Sequence, residues 1–176
     1  MPIFDSAYVE LRKQAEKMTA QEWIVRLHLV PHPEGGFYKE VYRSNFEVVS
    51  PDGKSTGACT SIYYLLQDRD FSGFHTIAYP EIWYYHDGEA LDVHSIDTTG
   101  KYSVTRLGKG DGEQLSLVVE PGVWFAADLP EKKSFALVSC AVAPAFDFAL
   151  FEMARKEELI KKWPNHKEVL EKFCRT

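Results

Sequence analysis

The sequence predicts a mainly β fold, an antiparallel sandwich or barrel flanked by short helices, and three observations carry that prediction. From Phe37 onward the chain is a succession of short runs rich in Val, Ile, Tyr, Phe and Thr. Clusters of turn-forming residues punctuate those runs at 50–54, 97–101 and 108–112. Helical spacing of apolar residues is confined to the two ends of the chain.

Taken in order, Ala7, Tyr8, Leu11, Ala15 and Met18 recur at helical intervals and predict a helix over 5–18. Thr19 and Glu22 stand three apart as a capping box, which opens a second helix reaching about Leu29. A tight loop follows, His32-Pro-Glu-Gly-Gly36, whose proline and glycines, with Pro31 just before, read as a rim or turn. Strands are expected at 37–49, 58–66, 72–78, 81–86, 90–96, 102–107, 114–119, 123–127, 134–142 and 147–153. In the tail, 156–162 reads as a charged amphipathic helix and Trp163-Pro164 as a break. Asn165 with Glu168 then starts a last helix over 166–174. The whole, residues 1–176, is expected to form one domain: a helical lead-in over 5–29, a barrel over about 37–153 and a helical tail over 154–175.

With 176 residues and 45% hydrophobic content the chain can bury one substantial core. Its net charge of -6, with Lys and Arg scattered, leaves no footprint for a phosphate backbone, so nucleic acid is not an expected partner. No run of 18 apolar residues occurs and no basic-then-apolar leader opens the chain, so neither a membrane nor a secretory route is expected. Cys59, Cys140 and Cys174 are odd in number and form no CxxC pair, which suits reduced thiols and a cytoplasmic location.

The chemistry concentrates at 73–88, GFHTIAYPEIWYYHDG. His75 and Glu81 are both metal-ligand types, but Ile77 stands where a second histidine would extend the donor set, so the site is either metal-poor or repurposed. No cofactor is expected, and the weaker alternative is a degenerate metal site in which His75 and Glu81 recruit one ion with help from His86 or water. Strand alternation puts Glu81, Trp83 and Tyr85 on one face and Ile82, Tyr84 and His86 on the other, unless a bulge intervenes before Gly88. A carboxylate turned into a barrel beside aromatic rings is desolvated, which raises its pKa toward acid–base use. His75 is its natural partner, either as a proton-transfer pair or as a pair that satisfies itself in a polar core pocket. By the same alternation Glu40 and Arg43, three apart, fall on opposite faces of their strand. His28, His94 and His166 lack partners at metal-type spacing and read as surface or capping residues.

Five blocks carry a further likeness: HPEGGFYKEVYRS (32–44), TSIYYLL (60–66), FHTIAYPEIWYYHDGEAL (74–91), VVEPGVWFAA (118–127) and FALVSCAVAPAFDFALFEMA (135–154). Together they resemble the Cupin_5 family within the RmlC-like cupins, in order from about Thr19 to Leu159. The resemblance implies a double-stranded β-helix, or jelly-roll, barrel enclosing a small-molecule pocket, in a homodimer. His75, Glu81 and Gly88 match the first cupin motif and Gly122 the second, whereas Ile77 and Phe125 replace two histidines of the general pattern. Metal-free members of related cupins epimerise or isomerise nucleotide sugars with a histidine base and a tyrosine acid. Carried to this chain, that implies His75 as base, Glu81 beside it and Tyr85 or Tyr63 as the acid, with Arg43 near an anionic group. The non-enzymatic alternative holds a small metabolite with Glu40, Arg43, His75, Glu81 and His86 as polar anchors beside Tyr63 and Trp83.

Overall fold

The computed structural model of the protein describes residues 18–51 and 53–175; the helix expected over 5–18 lies, apart from Met18, outside them. Helix α1, Ala20–Leu27, begins at the predicted capping box: Thr19 Oγ1 accepts from the Glu22 amide at 3.3 Å, and Glu22 Oε2 accepts from the Thr19 amide at 2.7 Å. It stops short of Leu29 because His28 turns left-handed, at φ 54°, and closes the last turn.

The strands that follow are β1 (Val30–Pro31), β2 (Phe37–Arg43), β3 (Glu47–Val49), β4 (Ser55–Gly57), β5 (Thr60–Gln67), β6 (Phe71–Ile77) and β7 (Glu81–Gly88). After them come β8 (Leu91–Ile96), β9 (Tyr102–Leu107), β10 (Ser116–Val119), β11 (Trp124–Asp128), β12 (Phe135–Val142) and β13 (Phe151–Met153). A six-stranded sheet runs β1-β2-β5-β12-β7-β10 and a five-stranded one β13-β6-β11-β8-β9, with every strand pair antiparallel. The jelly-roll barrel is thus made of two sheets, and consecutive strands repeatedly cross from one to the other.

Alternation explains what lies between the sheets. Tyr64, Leu66, Trp83, Val93, Phe125 and Val138 are buried there, from strands of both sheets. Two smaller cores cover the outer faces. The tail helices α2 (Lys156–Lys162) and α3 (Lys167–Phe173) bring Leu159, Leu170 and Phe173 onto Phe74, Ile96 and Ala126, while Trp23, Ile24 and Leu27 of α1 cover Leu65, Phe135 and Leu137.

Three expected elements differ. The strand expected over 37–49 breaks at Ser44, whose hydroxyl accepts from the Phe46 amide at 3.0 Å, and 47–49 pairs instead with β4 as a separate hairpin. The strand expected over 147–153 opens as a 3₁₀ turn, Phe148–Leu150, because Asp147 Oδ1 accepts from the Ala149 amide at 2.8 Å. In the tail, Asn165 lies inside a second 3₁₀ turn, Pro164–His166, and α3 starts with no side-chain cap.

Besides a register shift between β6 and β11, at Ser72–His75, two bulges set the orientation of polar side chains. Tyr85 faces Val138 and Asp87 faces Leu137, so His86 is the extra residue of β7. Glu40 faces Ile62 and Tyr42 faces Ser61, so Val41 is the extra residue of β2. That second bulge shifts the parity, and Glu40 and Arg43 meet rather than diverge.

Candidate functional site

A cavity of about 300 Å³ opens between the sheets. The loop 32–36, β2, β5, β6, β7 and β12 line it, and residues 146–151 form one wall. Its polar floor begins with β6, where alternation turns His75 inward at 2% exposure. His75 Nδ1 lies 2.8 Å from the Gly73 carbonyl, which can only accept, so Nδ1 carries a proton. Nε2 then faces Glu34 Oε2 at 3.2 Å.

A hydrogen bond there needs one proton between the two atoms. Burial pushes the His75 pKa down and the Glu34 pKa up, and both directions favour a neutral imidazole accepting from a protonated carboxyl. Glu34 Oε1 accepts from Ser72 Oγ at 3.1 Å, which fixes the carboxyl plane. Glu81, 9% exposed, is pushed up to about 7 by burial and further by the neighbouring Glu34, with His75 acting in the opposite direction.

Glu34 is the cavity residue that the sequence reading missed. Its loop reads as plain turn chemistry, yet it folds inward. Gly35 and Gly36 adopt φ of 115° and 69°, and the Gly36 amide donates to Asp70 Oδ2 at 2.7 Å. The Glu34 carbonyl accepts from the Gly73 amide at 2.8 Å and from Arg175 Nε at 2.6 Å. His32, from the same loop, accepts the Glu34 amide on Nδ1 at 3.3 Å, and burial lowers its pKa, so its ring is neutral. The signal available in the sequence was a histidine and a glutamate set among prolines of fixed φ and glycines free to turn left-handed, a pattern that positions side chains as well as reversing the chain.

Of the residues singled out from sequence, Glu40, Arg43, His75 and Glu81 line this one cavity. Glu40 and Arg43 sit at its mouth as a bidentate pair, at 3.1 and 2.7 Å. The others lie elsewhere. Tyr85 does point inward, but farther along β7, where its hydroxyl donates to the Gly88 carbonyl at 2.6 Å. Trp83 is a core residue edge-on to Tyr64 and Phe125, at 5.8 and 6.3 Å between ring centres. Tyr63 and His86 pack together on the opposite face of the sheet, where the His86 ring meets Ser139. The phenol in the cavity wall is Tyr64, which donates to the Gly35 carbonyl at 2.8 Å. Burial holds its pKa well above that of a free phenol. His94, read as a surface residue, is buried instead, between Asp128 at 3.0 Å and the Tyr102 hydroxyl at 2.6 Å.

The donor set does not fit a resident divalent ion. Phe125 packs tilted against the His75 ring at 4.0 Å between centres, Ile77 stands in the cavity wall, and the one free lone pair of His75 is turned to Glu34. Among the described residues no three His, Cys, Asp or Glu side chains converge as a metal-holding group.

A two-sheet jelly-roll with a buried histidine and carboxylates at the floor of its central cavity defines a cupin-type protein. Comparison with known proteins agrees. The model of the Cupin_5 family, described as cupin superfamily (DUF985), matches residues 21–154, and the chain belongs to that family. A hypothetical protein from Leishmania major is 34% identical over 90% of this chain and 100% of its own, with a TM-score of 0.84. A protein from Shewanella oneidensis is 34% identical over 90% and 99%, with a TM-score of 0.83. A variant of oxalate decarboxylase from Bacillus subtilis is 17% identical over 81% of this chain and 36% of its own, with a TM-score of 0.51, and shares the fold alone. No match is found among curated proteins.

Proposed function

We propose that this protein binds a small metabolite in a metal-free barrel pocket, with Glu34, His75 and Glu81 as its polar floor. The observation that carries the reading is the cavity itself. It is walled by Ile62, Ile77, Val142, Phe146, Phe148 and Phe151, and a few buried ionisable groups converge at its base, the usual composition of a small-molecule site. Native mass spectrometry of the protein purified under mild conditions tests it: a co-purifying small molecule is expected, and it should be lost in a Glu81→Leu variant that still folds. A cavity that yields only buffer and resists soaking with metabolite mixtures counts against the reading.

A second reading, a metal-independent sugar or nucleotide-sugar epimerase or isomerase with His75 as base, is favoured by the approach of Glu34 Oε2 to His75 Nε2 at 3.2 Å inside the cavity. The Gly73 carbonyl orients the ring, so Nε2 becomes a base once Glu34 releases it. Tyr64 replaces Tyr63 and Tyr85 as the acid, because its ring lines the cavity. Incorporation of solvent deuterium into a sugar substrate, abolished by His75→Ala, is the expected result. No exchange across a broad panel leaves binding as the function.

A homodimer and a cytoplasmic location belong to the same proposal. Exposed Val41 and Tyr42 on β2, Phe46 in the bend that follows and Val49 on β3 support the first, and the free thiols of Cys59, Cys140 and Cys174 the second. Light scattering on the eluting protein should read twice the 20.1 kDa chain mass.

A further inference from the structure

The charges around the cavity do not balance, and the imbalance has a sign. Three carboxyls line it, Glu34, Glu40 and Glu81, against one guanidinium and two imidazoles. The guanidinium is already committed: Arg43 Nε and Nη2 grip Glu40 at 3.1 and 2.7 Å, and Nη1 donates to the Phe146 carbonyl at 3.1 Å. Neither imidazole supplies a free cation. His32 accepts the Glu34 amide on Nδ1, and His75 spends its Nδ1 proton on the Gly73 carbonyl while Nε2 faces Glu34.

An incoming anion would therefore meet no unpaired positive group at the floor. Glu34 turns its proton to His75, so the anion would be desolvated beside Glu81 with no cation to pair with, which disfavours it. A cation meets the opposite situation. Glu81 is 9% exposed, lines the cavity and has no ion pair among the described residues. Phe146, Phe148 and Phe151 stand 5.1 to 6.1 Å apart between ring centres, mutually edge-on. Such a cluster presents ring faces that attract an organic cation and apolar surface that packs its carbon skeleton.

We propose that the ligand class of this pocket is a small organic ammonium ion with an apolar body, its N–H groups on Glu81 and Glu34 and its body against Phe146, Phe148 and Phe151. The assignment rests on the reading of the cavity as a small-molecule site and narrows it. Three probes of one shape separate the possibilities: benzylammonium, benzyl alcohol and benzoate, titrated calorimetrically into the full chain. The expected order is benzylammonium at least tenfold tighter than benzyl alcohol, with benzoate undetectable. Glu81→Gln should bring the ammonium down to the level of the alcohol, its thermal midpoint reporting that it is folded.

Benzoate binding as tightly as the amine, three equal affinities, or a preference that survives Glu81→Gln overturns the assignment. So does a response to zinc or manganese chloride with none to the amine. If no probe binds but a neutral or anionic metabolite co-purifies, the ammonium assignment fails and the pocket remains a ligand site. If no probe binds and nothing co-purifies, both readings fall together. The titrations of unmodified protein decide the matter even where the variant does not fold.

Discussion

Glu81 is a carboxyl whose surroundings keep it protonated close to neutral pH. Its pKa in the folded chain is about 7, against an ordinary value of 4.5, with burial as the main cause and Glu34 adding to it. Between those two values the native state holds a proton that the unfolded state has lost, so the contribution to stability is full below the ordinary value and disappears as pH rises through 7. One group sets a slope of at most about 1.4 kcal/mol per pH unit. Glu34, raised by its own burial, acts in the same direction. Denaturant unfolding at pH 5 and pH 7.5 should therefore show Glu81→Gln losing less stability across the interval than the unmodified chain. Equal losses would mean that Glu81 ionises freely in the folded protein. The ionisation that costs stability is the one an ammonium ligand would favour, so the strain at this residue is also a source of selectivity.

The elements that carry such residues were legible to different depths. β7 could be read in full, because hydrophobic alternation fixes which side chains face the core: Glu81, Trp83 and Tyr85 point inward, and the bulge falls only at His86. β2 could not, because no residue pattern announces the extra Val41 that reunites Glu40 with Arg43. The loop 32–36 was legible as a turn but not as a site, since its inward fold depends on Phe71 and Arg175, far along the chain. A β-carbon on Gly35 would lie 1.9 Å from Arg175 Nη2 and 2.1 Å from the Phe71 carbonyl, in a backbone conformation of φ 115°. Gly112 also has a positive φ, 75°, but open space around it. Gly35→Ala should accordingly destabilise by about 3 kcal/mol or more and Gly112→Ala by about 1 kcal/mol, read as thermal midpoints. Similar shifts for both would show that the loop relaxes around the methyl group.

At the scale of the whole molecule, the end of the chain holds the floor of the cavity in place. Phe173 and Leu170 anchor α3 on the outer face of the five-stranded sheet, beside Phe74 and directly behind His75 in sequence. From there Arg175 reaches the Glu34 carbonyl at 2.6 Å and Asp70 Oδ1 at 2.7 Å, and it also contacts the Phe71 carbonyl. Asp70 in turn takes the Gly36 amide, so one guanidinium holds both the middle and the far end of the loop that delivers Glu34. These are charge-assisted bonds to half-buried partners, each worth about 1.5–3 kcal/mol, unlike Arg155–Glu158, whose side chains are 77% and 63% exposed. Exposed pairs of that kind contribute about 0–1 kcal/mol. Arg175→Ala should therefore cost about 3 kcal/mol or more and Arg155→Ala no more than about 1 kcal/mol. Arg175 acts through the loop rather than on a ligand, so amide exchange is the discriminating measurement. The Gly36 and Gly73 amides, which donate to Asp70 and to the Glu34 carbonyl, should exchange faster in Arg175→Ala and unchanged in Arg155→Ala. A general loosening that spares those two amides would leave Arg175 as an ordinary stabilising residue, and the cavity floor would owe its position to Ser72 and Gly73 alone.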